Sequence, residues 1–153
     1  MPIKSFRGLI KNGTQDTVVL HTNTGSTGYR IKKFQVMSHT PGDSNDQEHI
    51  VMIWKVQRTA AELADNTTTR PDFSNNVLLG VGIVVNDIGS SLNYDEVVIF
   101  DNEIFNQDIY ITLRDVAGGA QSCNYYLELE QIKLDLNQNT VATLKDIRNI
   151  EGQ

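Results

Sequence analysis

Eight short apolar runs, fairly evenly spaced, constrain this chain more than any other feature of its sequence. They are IKSFRGLI (3–10), DTVVLHT (16–22), YRIKKFQVMS (29–38), HIVMIWKVQ (49–57), NVLLGVGIVVN (76–86), EVVIF (96–100), DIYITLR (108–114) and NYYLELEQIKLDL (124–136). Between most of them stand KNGTQ, TNTGSTG, TPGDSNDQE, NDIGSSLNYD and DVAGGAQS, built from residues that set up turns or accept a positive φ. Short β-rich runs punctuated this way predict an all-β chain, a sandwich or barrel.

Two runs change phase. In 124–136, Tyr125, Leu127 and Leu129 share one parity and Ile132, Leu134 and Leu136 the other. An unbroken strand would turn half of these to water, so a bulge near Glu130 and Gln131 is expected. In 29–38, Tyr29 and Ile31 give way to Phe34 and Val36 across Lys32 and Lys33, which predicts a second bulge there. Long bulged strands suit sheets that bend around a shared core, so the expectation is one jelly-roll-like β-sandwich over residues 1–153.

Two stretches read as helical. TAAELAD (59–65) places Thr59 three residues before Glu62, the spacing of a capping box. In the tail TVATLKDIRNIE (140–151), Thr143 and Asp146 repeat the spacing, while Val141, Leu144, Ile147 and Ile150 recur every three residues. That stripe drifts around a helix, so 140–153 is expected to be a short helix or an arm packed on something, a neighbouring subunit included. NTTTRPDFSNN (66–76) reads as a polar loop.

The net charge of −6 argues against a broad grip on nucleic acid, since phosphate neutralisation needs clustered lysine and arginine. The basic knot YRIKKF reads as a solvated strand face, with Arg30, Lys32 and Lys33 outward. Cys123 is the sole cysteine, so it forms no internal disulfide and is expected to be a small half-buried hydrophobe. The start lacks the pattern of a secretory signal and no apolar run approaches the length of a membrane span, so a soluble, cytoplasmically made product is expected.

The chemistry-bearing residues form no recognisable constellation. Asp101, Glu103, Asp108 and Asp115 spread over a loop, a strand and a turn, and are read as wet loop structure rather than a calcium or catalytic site. In PGDSNDQEH, Asp43, Asn45 and Gln47 imitate the first ligands of an EF-hand, but Glu48 stands where glycine is required and Trp54 where the last glutamate belongs. His21, His39 and His49 stand at no ligand spacing, and GVGIVV lacks the third glycine and helix of a phosphate-binding turn. No catalytic residue, metal or cofactor is therefore assigned. Trp54 shares the parity of Ile50, Met52 and Val56, suggesting core or inter-sheet packing, and one of Tyr125 and Tyr126 must face outward.

KSFRGLIKNGTQDTVVLHTNTGSTGYRIKKFQVM, VVIFDNEIFNQDIYIT and CNYYLELEQIKLDLNQNTVATLKDIR together resemble a group of small, uncharacterised, virion-associated proteins of marine bacteriophages. The resemblance spans nearly the whole chain and carries over no functional residue. It implies a phage virion or phage-associated protein; joined to an all-β chain with no active-site constellation, the reading is a virion structural protein, foremost a capsid decoration or cement protein. Its partners would be the major capsid protein or other virion subunits, with self-association as a trimer. The alternatives are a tail, adaptor or minor capsid component, or a carbohydrate- or receptor-binding module using Tyr94 and Tyr126. Contact residues expected on this reading are Phe6, Ile104, Phe105, Tyr126, Leu144 and Ile147.

Overall fold

The computed structural model describes residues 2–89, 91–100, 103–117, 119–135 and 142–144. The described residues are mostly β: two sheets of antiparallel strands with short helical segments. The strands are β1 (Ile3–Ile10), β2 (Gln15–Val18), β3 (Thr27–Ser38), β4 (Gln47–Trp54), β5 (Leu78–Asp87), β6 (Leu92–Ile99), β7 (Ile109–Asp115) and β8 (Cys123–Lys133). One sheet has the order β1-β8-β3, the other β2-β7-β4-β5-β6.

Alternation builds the interior. Ile10, Ile31, Phe34, Cys123, Tyr125, Leu127 and Leu129 from the three-stranded sheet join Val51, Ile53, Leu79, Ile109, Ile111 and Leu113 from the five-stranded sheet in one buried cluster. The pairs β1·β8, β2·β7 and β4·β5 are nested in sequence like the rungs of one long hairpin. The remaining pair of that series, β3·β6, forms no ladder among the described residues, because β6 bonds β5 instead.

The register shift predicted across Lys32 and Lys33 is present, between Ile31 and Lys33 where β3 pairs with β8. The bulge expected at Glu130 and Gln131 is not: β8 pairs with β3 without a shift there, Arg30 opposite Glu130, Tyr29 opposite Gln131 and Gly28 opposite Ile132. The phase change is absorbed differently. β8 ends at Lys133, Ile132 is half-buried, and Leu134 lies beyond the strand, its N–H on the Ser26 carbonyl at 2.8 Å and its side chain against the Cα of Gly28. Leu136 lies outside the described residues.

β4 is apolar on both faces because both are covered. Val51 and Ile53 face the shared core, while Ile50, Met52 and Trp54 join Val77, Leu78 and Val81 in a second cluster on the opposite side of the sheet. The segment between β4 and β5 covers that side. It contains helix α1 (Ala60–Ala64), whose capping box is present as expected, with Glu62 N–H on Thr59 Oγ1 and Thr59 N–H on Glu62 Oε1. A 3₁₀ turn follows at Asn66–Thr68, where the sequence suggested loop. Trp54 therefore packs beneath this cover rather than between the sheets: Arg58 lies 4.3 Å over its ring and its Nε1–H donates to Thr112 Oγ1 at 3.0 Å. Residues 142–144 form a helical turn docked by Asn106, whose Nδ2 donates to Thr143 Oγ1. Val141, Asp146, Ile147 and Ile150, the rest of the expected tail pattern, lie outside the described residues.

Candidate functional site

The carboxylates that drew attention in the sequence serve separate places. Glu103 pairs with Lys55, whose side chain is almost fully buried. Asp108 Oδ1 accepts from the N–H groups of Leu20 (2.8 Å) and His21 (3.0 Å) and contacts His21 Nδ1 at 2.7 Å, tying the chain beyond β2 to the start of β7. Burial opposes ionisation of Asp108, but these donors outweigh it and hold its carboxyl below the ordinary range. Asp115 organises a turn: Oδ1 accepts from Glu48 N–H and Ala117 N–H, and Oδ2 from Gln121 N–H. Asp101 lies outside the described residues. In the acidic loop, Asp43 accepts from Asn45 N–H and from Gln121 Nε2, and Asp46 from Ile88 N–H, the pattern of a hydrogen-bonded turn. Among the described residues, no three His, Cys, Asp or Glu side chains are grouped to hold a metal ion.

A buried polar cluster was not singled out in the sequence. Ser38 Oγ donates to Gln47 Oε1, Gln47 Nε2 donates to the Thr40 carbonyl at 2.7 Å, and His49 Nε2 lies 3.4 Å from Gln47 Oε1. Ser38, Gln47 and His49 are all buried, and His49 Nδ1 has no hydrogen-bond partner. Its signal was present in QEHIVMI, where Gln47 and His49 share the inward parity of Val51 and Ile53. Burial lowers the His49 pKa, with Asp115 opposing, so the ring is held neutral. Cys123, opposite Ser38 in the sheet, is fully rather than half buried. Burial first, with a smaller contribution from Asp115, pushes its thiol up to about 12 against an opposing backbone hydrogen bond at Met37. A nucleophilic cysteine needs its thiolate, and this environment suppresses it. The cluster is interior structure.

The accessible concave surface lies elsewhere, along β3 and β6. One groove of about 860 Å³ is lined by Phe34 to Met37 of β3, Asp95 to Val97 of β6, and residues of β1 and β8 including Arg7 and Tyr126. A second, of about 390 Å³, continues beside Val36 to Ser38 and Asn93 to Asp95. The floor between them is apolar: Phe34 is buried, Val36 and Val97 are half-buried, and Gly82 of β5 leaves the space these side chains use. A Cβ on Gly82 would come within 3.0 Å of Val36 Cγ1 and 3.1 Å of Phe34 Cε2. The sequence hid half of this site, since the exposed start of β6, Leu92 to Asp95, reads as turn.

The chain matches no family model, no curated protein and no solved structure. The geometry therefore stands by itself. No helix among the described residues is long and apolar enough to cross a membrane.

Among the described residues, those expected to make subunit contacts do not share one exposed face. Phe105 is the correction among them: it is 1% exposed, its ring stacks on Tyr29 with centroids 6.5 Å apart, and both backbone groups bond Tyr29. It plugs the core because the isolated bridge to β3 fixes its side chain inward. Ile104 beside it is 36% exposed. Phe6 is half-buried against the core. Tyr126 stands on the outer face of the three-stranded sheet with its hydroxyl on Glu128 and Lys33 Nζ 5.9 Å from its ring, whereas Tyr125 faces inward. The outward basic knot is likewise occupied: Arg30 and Lys32 both reach Glu130. Leu144 is exposed, and Ile147 lies outside the described residues.

Proposed function

We propose that this chain is a structural protein of a bacteriophage particle, an accessory head protein of the decoration or cement type, folded as a jelly roll. The observation that carries the reading is the nested strand order. With β1·β8, β2·β7 and β4·β5 as successive antiparallel pairs, the chain follows a long hairpin rolled into two facing sheets, which is how an eight-stranded jelly roll is wound. β6 departs from that pattern by staying with β5. Jelly rolls recur in viral shells, so the topology agrees with the sequence resemblance; agreement at the level of fold is analogy and names no partner.

The mechanism on this reading is contact. A rigid core presents loops and strand edges to neighbouring capsid subunits, and a closed homotrimer would multiply weak contacts into a firm grip. The test is mass spectrometry of purified virions together with light scattering of the purified chain. Stoichiometric presence in the particle and a trimer in solution are expected. Absence from virions, with a monomer in solution, would remove the proposal.

A further inference from the structure

We infer that the groove between β3 and β6 is a docking site for one extended strand of another polypeptide, added to the free edge of β3. The inference uses the geometry of the groove alone and does not depend on the particle reading. Hydrogen-bond directions set which backbone groups are available. His39 N–H donates to Ser122 on the β8 side, and antiparallel alternation then places Met37, Gln35 and Lys33 toward β8. The N–H and C=O groups of Phe34, Val36 and Ser38 point the other way. Tyr29 uses the same edge to bond Phe105, so this side of β3 already accepts an added segment at its other end, before the register shift at Lys32.

β6 faces the same space with a free edge of its own. Phe100 N–H donates to the Leu79 carbonyl, which directs Val98, Glu96 and Tyr94 toward β5 and leaves the backbone groups of Val97, Asp95 and Asn93 outward. Two unpaired edges thus flank an apolar floor. Within the described residues no ladder joins β3 to β6, and the β1-β8-β3 sheet ends at β3. Unpaired strand edges are templates for added strands, with main-chain bonds supplying affinity and alternate side chains supplying selectivity.

Charge specifies the partner. Asp95 and Glu96 are exposed on the β6 side, while Arg7 stands two strands away from β3 across Tyr126 and Gln35. A strand alongside Phe34 to Ser38 would span about 17 Å at the extended rise per residue. Its inward side chains would be apolar, to meet Phe34, Val36 and Val97, and its other side chains basic where they pass Glu96, which alternates to the opposite face of β6 from Val97 and Asp95.

The test uses the intact chain and a synthetic six-residue peptide alternating valine with lysine, compared with one alternating valine with glutamate. Binding of the basic peptide should slow hydrogen exchange at the Phe34, Val36 and Ser38 amides at least tenfold. The double variant Asp95→Lys/Glu96→Lys, which alters only exposed side chains, should melt like the parent and bind the basic peptide at least tenfold more weakly. The inference is overturned by no protection of these amides at millimolar peptide, by equal protection by the acidic peptide, or by protection in the free protein that rises with its concentration. The last would assign the edge to a second copy of the chain. If neutral oligosaccharides instead shifted the groove resonances and the basic peptide did not, the site would be a sugar groove and the inference would equally fail.

Discussion

The two margins of this molecule are closed by different means. On the β1–β2 side the chain itself turns from one sheet to the other through residues 11–14. Backbone and polar bonds seal that turn: Gly13 N–H donates to the Leu113 carbonyl at 2.9 Å, Asp115 N–H to Asn12 Oδ1 at 2.7 Å, and Tyr125 O–H to Asp16 Oδ2 at 3.2 Å. On the β3–β6 side no short connection joins the sheets, and contact depends on Phe34 and Val36 resting against Gly82. Covalent continuity thus leaves one margin shut with little choice of partner. The other is held by apolar packing beneath two unpaired edges, and it is there that the surface is concave.

The largest effect that would separate the two margins is expected from Phe34→Ala. Truncating this buried ring should cost about 3–5 kcal/mol in chemical denaturation, and native-state hydrogen exchange should show β6 loosening before β2. If β2 loosened first, the contrast between the margins would be wrong. Gly82→Leu tests the same contact from the other side. The added side chain must displace Val36 or Phe34, and overpacking of this kind should lower stability by about 1–3 kcal/mol. An unchanged denaturation midpoint would mean that the sheets can part there freely. Asn12→Ala probes the closed margin, where loss of one acceptor from the Asp115 N–H should cost about 1 kcal/mol and leave exchange in β6 unaltered.

Changing pH perturbs the margins without mutation and in separable windows. His49, beside the second groove's Gln47, has a depressed pKa, so the unfolded chain takes its proton more readily than the folded one. Stability from this group is whole above about pH 6.5 and declines as pH falls below it. His49→Leu should flatten that slope. Asp108, on the β2–β7 side, also has a lowered pKa, but a carboxylate loses its contribution only as pH falls below about 4. A stability profile with no slope above pH 5, or one that His49→Leu leaves unchanged, would contradict the assignment.

Apolar runs bounded by turn residues located the eight strands of the described residues, and the spacing of Thr59 and Glu62 located the cap of α1, because both signals act between near neighbours in the chain. The ends of strands were less legible. β6 begins at Leu92 rather than Glu96, since the exposed residues Asn93, Tyr94 and Asp95 are held by β5 and not by any pattern of their own. Trp54 was readable as buried but not as lying beneath Arg58 on the far side of its sheet, and Phe105 was readable as apolar but not as bonded to Tyr29. Of the groove, Phe34 and Val36 were identifiable as a face, while Asp95 and Glu96 carried no sign of lining the same groove.

What the sequence determined alone was periodicity, turn chemistry and the class of fold, all properties of side chains within a few residues of one another. Tertiary structure decided which edge would be left unpaired, because that depends on whether β6 bonds β5, its hairpin neighbour, or β3, more than fifty residues earlier. Strand exchange across such a distance changes no local pattern; it changes only which backbone groups find a partner. The vacant edge of β3 follows from that choice.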